Sequence, residues 1–324
     1  MPAVTVESVL GLPRIPRPAT RRPRPVVELA EATPTTEGAG FKVWRSFPGA
    51  VTSNTSDPII GLDQVGPNWN GPSETAGAPW HPHRGFETVT YVIDGEIAHH
   101  DTNGGGGVIG NGDTQWMTAG SGILHDELPT ERLYRQGGLV HHVQMWVNLP
   151  AALKMTRPRY QPIPGHELTL VTTEDGGALV RIIAGEVAGH AGPGATFTPI
   201  TYLHATVAPG AELALPWNPA YNAMAYALAG QGTAGPAERP LRDHQLIVFG
   251  EGDHLTVRAA DRIEGDIGTL ELLVVGGLPI REPIAWHGPF VMNTRDEIVR
   301  ALDDYRAGRM GTVPAGQLGP RHFA

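Results

Sequence analysis

The sequence predicts an all-β chain of two β-barrels of the double-sheet jelly-roll kind, with a short C-terminal helix. Three observations carry this. Short β-branched and aromatic runs recur between turn residues, with 42 Gly and 30 Pro spread along 324 residues, the punctuation of many short strands. Length alone allows about two domains, and a 40% apolar fraction allows a sizeable core. The second half also repeats the first. Tyr226-Ala-Leu-Ala-Gly230 matches Tyr91-Val-Ile-Asp-Gly95, and Phe249-Gly-Glu-Gly-Asp253 matches Ile109-Gly-Asn-Gly-Asp113. The displacements, 135 and 140 positions, predict two homologous barrels.

Composition narrows the function classes. There is no Cys, which excludes a disulfide framework, a thiolate metal site and a cysteine nucleophile. No run approaches the roughly 18 apolar residues of a membrane span, and the N-terminus lacks the apolar core of a secretory signal. The expectation is a cytoplasmic monomer. Net charge is −9; residues 1 to 25 hold five Arg and one Glu, so the remainder carries −13. An acidic body argues against direct nucleic-acid binding.

In chain order, residues 1 to 40 are rich in Pro and Arg without sustained periodicity. They are expected to form an extended, largely disordered arm. Residues 41 to 156 should form the first barrel. Within it a Gly- and Pro-rich loop from Gly66 to Pro79 leads straight to His81, and loops of that length are often functional. Arg157 to Gly165, with three prolines, reads as the linker. Residues 166 to 285 should form the second barrel and 286 to 324 a C-terminal segment. There Ile298, Leu302 and Tyr305 recur at helical spacing after Thr294, a candidate N-cap, which predicts a helix at about 295–306.

The chemistry concentrates between residues 81 and 127. His81-Pro82-His83 opens this stretch, the strand-like run Thr88 to Ile93 follows, and His125-Asp126-Glu127 closes it. Alternate residues of a strand share a face, so His81 pairs with His83 and His125 with Glu127. Two such pairs brought together make a site of three imidazoles and one carboxylate. That set suits a borderline divalent ion, Fe(II) first and then Mn, Ni, Zn or Cu. Pro82 cannot donate to a ladder, which puts this piece at a strand start or an edge. Strict alternation also turns Glu87 toward His81 and His83, as an ion-pair or supporting group. His99 and His100 read as packed or solvated rings, and His141, His142 and Gln144 as ordinary strand positions. His244 and His254 read as surface or turn residues.

The blocks HPHRGFETVTYVIDG, IAHHDT, GDTQWMTAGSGILHDE and QMWVNLP resemble the N-terminal half of the pirins, and GGLPIREPIAWHGPFVMNTRDEI resembles their C-terminal region. The resemblance spans most of residues 41 to about 305. It implies a bicupin fold and metal ligands at His81, His83, His125 and Glu127. One departure is Asp126, where the family often has a small residue. Ten and eight positions before Tyr226 stand Pro216 and Asn218, and Gly265 and Ile267 occupy the places equivalent to His125 and Glu127. The second barrel is therefore expected to lack the site.

The resemblance further implies a non-haem metal dioxygenase of the quercetin 2,3-dioxygenase type, acting with dioxygen on a flavonol or another small chelating aromatic substrate. Glu127 would serve as base as well as ligand. The alternative it implies is an iron-binding redox sensor or adaptor that regulates a protein partner, a transcription factor or a metabolic enzyme.

Overall fold

A computed structural model describes residues 4–19, 22–38, 40–47, 51, 53–263 and 268–314. Strands dominate, arranged as two barrels, each with one large and one four-stranded sheet. In the first barrel the large sheet runs, in spatial order, Arg159–Ile163, Thr114–Thr118, Phe86–Asp94, Gly138–Asn148, Ile59–Asn70, Phe41–Phe47 and Thr33–Glu37. Facing it are Ala78–His83, Ile123–Pro129, Ile97–Asp101 and Gly106–Ile109. Ala78–His83 is an edge strand, where Pro82 costs no ladder bond.

The strands alternate as period 2 demands, and both faces of the large sheet are used. Val89, Tyr91, Trp116 and Met145 point outward and meet Tyr202, Tyr226, Val248 and Val275 of the second barrel in the largest apolar cluster. The barrels thus pack large sheet against large sheet. Inside the second barrel, Leu213, Leu215, Trp217, Ala225, Ala227 and Val257 form a continuous apolar core. Pro216 lies on Glu212–Pro216, while Gly265 and Ile267 fall outside the described residues.

The arm expected to be largely disordered carries strands instead. Arg14–Ile15 pairs in parallel with Thr172 and Thr173, Val26–Glu31 pairs antiparallel with Gln245–Phe249, and Thr33–Glu37 joins Phe41–Phe47. The chain therefore edges the second barrel's large sheet before it enters the first. Proline density hides the short Val-Val-Glu-Leu-Ala alternation, and the partner strand lies some 220 positions away, out of reach of local pattern. The segment expected as a linker is likewise a strand in part, since Arg159–Ile163 pairs with Thr114–Thr118.

The C-terminal segment returns to the first barrel. Ala285–His287 and Phe290–Met292 form a hairpin, followed by the helix Arg295–Arg306. Thr294 and Glu297 make a reciprocal capping box at its start. Phe290, Met292, Ile298, Ala301 and Met310 bury an apolar face against Leu124. Lys154 pins the hairpin: its buried Nζ donates to the Gly85 carbonyl at 2.8 Å, to Asn148 Oδ1 at 2.7 Å and to the Val291 carbonyl at 2.9 Å. Burial pulls the Lys154 ammonium down to about 8. Among the described residues, no helix is long and apolar enough to cross a membrane.

Candidate metal centre

His81 and His83 leave the edge strand on one face, and their Nε2 atoms lie 3.0 Å apart. His125 stands opposite His81 in the antiparallel ladder, its ring centroid 4.2 Å from that of His81 and 5.0 Å from that of His83. The three rings offer nitrogen atoms all within 4.8 Å of one another.

Each ring is oriented from its far side. His81 Nδ1 lies 2.7 Å from the Pro79 carbonyl and His83 Nδ1 3.2 Å from the Pro289 carbonyl. Carbonyl oxygens only accept, so both Nδ1 atoms carry the proton. His125 Nδ1 lies 3.4 Å from His99 Nδ1, and His99 Nε2 lies 3.5 Å from Asp101 Oδ2. Asp101 Oδ2 accepts from His99 Nε2–H, which leaves His99 Nδ1 to accept from His125. All three ligand candidates are thereby set in the tautomer that points an Nε2 lone pair at the common centre. Burial, with the neighbouring imidazoles adding to it, holds His83 and His125 well below the usual histidine range.

Two lone pairs facing at 3.0 Å repel unless a proton or a cation lies between them. His125 Nε2 is buried without a hydrogen-bond partner, and one shared proton cannot serve three rings. An unsatisfied buried acceptor is costly, so the residues present fit a divalent ion.

Glu127 stands in a second group that shares His125. It groups with His125 and His99 within 4.8 Å, and not with all three of the convergent imidazoles. Its Oε1 accepts from Thr90 Oγ1 at 3.0 Å and from Gln115 Nε2, and its Oε2 accepts from Gln144 Nε2 at 2.8 Å. Those three donors lie on one rung of the large sheet, where Gln115 and Gln144 both stand opposite Thr90. The carboxylate is thus held from the sheet that faces it.

Glu87 does not join this group. Between His83 and Phe86 the chain turns from the small sheet into the large one, with Gly85 at φ +90°. That corner resets the alternation. Phe86 and Thr90 face the site, while Glu87 points to the opposite side, where Thr118 Oγ1 donates to it at 2.6 Å. Burial raises its carboxyl above the usual range.

His99 is the residue that sequence reasoning missed. It is fully buried, packed on Tyr160 with ring centroids 4.7 Å apart, and aligned between Asp101 and His125. The available signal was the His99-x-Asp101 pair on one face of a strand. His142 and Gln144 do line the cavity, whereas His141 faces the inter-barrel side and contacts Gln64 at 2.9 Å. His244 lies in a turn, as expected, whereas His254 is more enclosed than expected. His244 stacks on Trp44 at 4.2 Å, and His254 is 7% exposed.

Because His99 fixes the tautomer of His125, His99→Leu is expected to weaken metal binding by about 10–100-fold. Competition titration of the metal-free protein with Ni(II) or Zn(II) measures it. Loss of one whole equivalent of bound metal would instead make His99 a direct ligand.

A cavity of about 630 Å³ opens beside His81, His83 and Glu127. Trp80, Trp146, Trp286 and Phe41 supply apolar wall, while Arg45 and Asp63 supply a polar patch. Arg45 grips Asp63 through Nε at 3.0 Å and Nη2 at 2.6 Å. The volume lies within the range of small-molecule sites.

Comparison with known proteins fits this geometry. Residues 40–147 match the Pirin family and residues 202–311 match the Pirin C-terminal cupin domain. A pirin-like protein of Solanum lycopersicum is 39% identical over 291 residues, covering 90% of this chain and 94% of that protein. Human pirin is 37% identical over 278 residues, covering 85% and 90%. Among solved structures, a quercetin 2,3-dioxygenase from Acinetobacter baumannii superposes with a TM-score of 0.83 at 34% identity, over 90% of this chain and 100% of that one. Matched in both halves by sequence and over most of its length by relatives and by fold, the chain belongs to the pirin family.

Proposed function

We propose that this pirin-family protein is a metal-dependent dioxygenase that opens the ring of a flavonol or a similar chelating aromatic substrate. The observation that carries the reading is the convergence of three tautomer-fixed Nε2 lone pairs beside an aromatic-lined cavity that His81 and His83 border. The likeness to a solved quercetin 2,3-dioxygenase supports the substrate class. The donor set His81, His83, His125 and Glu127, three imidazoles and a carboxylate, suits Fe(II) ahead of Mn, Ni, Zn or Cu. When bound, such an ion supplies open positions for a chelating substrate and for dioxygen.

The residues have separable tasks. Pro79, Pro289 and the His99–Asp101 pair hold the imidazoles, so that little rearrangement accompanies binding. Gln115, Gln144 and Thr90 hold the Glu127 carboxylate beside the cavity, where it can take the proton of a substrate hydroxyl. Trp80 and Trp146 exclude water from the reacting end.

The test is dioxygen uptake by anaerobically purified, iron-loaded protein given quercetin, with carbon monoxide release measured in parallel. Both are expected, and His81→Ala should abolish both. The sensor or adaptor alternative makes the opposite forecast. Turnover would equal that of the His81→Ala variant across a broad panel of chelating aromatics, while partner binding would differ between Fe(II) and Fe(III).

A further inference from the structure

Trp286 belongs to the C-terminal hairpin, not to the barrel that carries the histidines, and neither the metal chemistry nor the core accounts for it. Two contacts fix the indole. Its Nε1 donates to the Gly288 carbonyl at 2.8 Å. One face packs on Trp146, with centroids 5.5 Å apart and planes 23° from parallel. The ring is nevertheless 37% exposed and borders the same cavity as His81 and His83. A tryptophan that is locked in place yet uncovered on one side is costly as a packing residue, because it leaves apolar surface in water.

Its position ties it to the reacting end. Trp146, beneath it, meets His83 edge-on at 5.3 Å and Phe86 at 4.4 Å. The same hairpin carries Pro289, whose carbonyl orients His83. An unbroken aromatic series therefore runs from Trp286 through Trp146 to a candidate ligand. A flat molecule with its chelating oxygens at the histidine cluster would extend along that series toward the cavity mouth.

We propose that Trp286 is a specificity-determining residue, a preorganised stacking wall that selects planar aromatic chelators over small aliphatic ones. The proposal rests on the functional reading above and adds to it the part of the substrate that is read and the residue that reads it. The C-terminal segment would then complete the first barrel's site, adding its indole to the strand-borne Trp80 and Trp146. Because the indole is already fixed, little side-chain entropy is lost when a ligand stacks on it.

The experiment measures dissociation constants anaerobically on Ni(II)-loaded full-length protein, with equal metal loading confirmed for each variant. The probes are quercetin, 2,3-dihydroxynaphthalene as a flat chelator that is not a flavonol, and acetohydroxamate as a small chelator without an aromatic ring. Trp286→Leu is expected to weaken both flat ligands about 3- to 10-fold relative to acetohydroxamate, and Trp286→Phe to recover most of that loss. In turnover the loss should fall on KM rather than kcat, as it does when ground-state and transition-state binding weaken together. Flat ligands that bind the wild type and Trp286→Leu with the same preference over acetohydroxamate would overturn the stacking wall and leave the functional reading standing. Failure of quercetin alone, with dihydroxynaphthalene still sensitive to Trp286, would overturn the flavonol reading and keep the wall. If neither flat ligand binds the wild type, both fall.

Discussion

Replacing His125 with Ala is expected to remove the capacity to hold a metal ion while the chain stays folded. Wild-type protein purified under mild conditions should carry one equivalent per chain, and His125→Ala close to none. Loss of a direct ligand should exceed the roughly 10–100-fold that loss of an orienting partner costs. His125 is the ring with the fewest alternatives: fully buried, with Nδ1 turned toward His99 and Nε2 without a partner. Its replacement also removes an unsatisfied buried acceptor, which offsets part of the lost packing. The metal-free variant should therefore melt near the metal-free wild type. Added metal should raise the wild-type melting point and leave the variant's unchanged, because a ligand at about 100 times its Kd stabilises the folded state by about 2.7 kcal/mol. Because His125 belongs to both groups of convergent ligands, a variant that still responds to metal would show that it is not a ligand in either. Two tightly held ions per chain would count against a second barrel without a site.

What the sequence made legible follows from the range over which each pattern acts. Alternation within one strand is local, and it brought His81 to the same face as His83 and His125 to the same face as Glu127. The two-barrel fold was legible because the second half repeats the turns of the first. Alternation misled at Glu87, since Gly85 at φ +90° breaks the strand and nothing in a periodic count marks such a corner. His99 was undervalued because its role depends on a partner 26 positions away on a neighbouring strand. The tautomers could not be read from sequence at all. They depend on the Pro79 and Pro289 carbonyls, one of them delivered by a hairpin about 200 residues further along. Trp286 reaches the cavity by the same route, and the sequence stretch around it reads only as a C-terminal segment.

The N-terminal arm carries the second large expected effect, and it reverses the expectation drawn from composition. Deleting residues 1 to 24 should lower the stability of the fold substantially. Ile15 is 1% exposed and packs in the core of the second barrel beside Val171 and Val180, and removing a buried aliphatic side chain of this size costs about 2–5 kcal/mol. Arg24 is 2% exposed and spends its guanidinium on three carbonyls, those of Gly252 at 3.1 Å, Tyr221 at 2.8 Å and Asn218 at 2.9 Å. Without it those acceptors lose a charged donor and turn to water, a net cost on the order of 1.5–3 kcal/mol for the side chain as a whole. Arg181 would lose the Val4 carbonyl that its Nε bonds, and Thr172 would lose its backbone bond to the Pro13 carbonyl at 2.9 Å. Together these predict a loss on the order of 4 kcal/mol, read as a melting point lower by roughly 10 °C for a chain of this size. The loss should fall on the second barrel, because every partner named lies there, so metal stoichiometry at the first barrel should survive at temperatures where the truncated chain is folded. Arg24→Ala in the full-length chain separates the guanidinium from Ile15 and should give the smaller part of the shift. An unchanged melting point for the truncated chain would mean that these residues are solvated in solution and that the strand pairing at Arg14–Ile15 contributes nothing to stability.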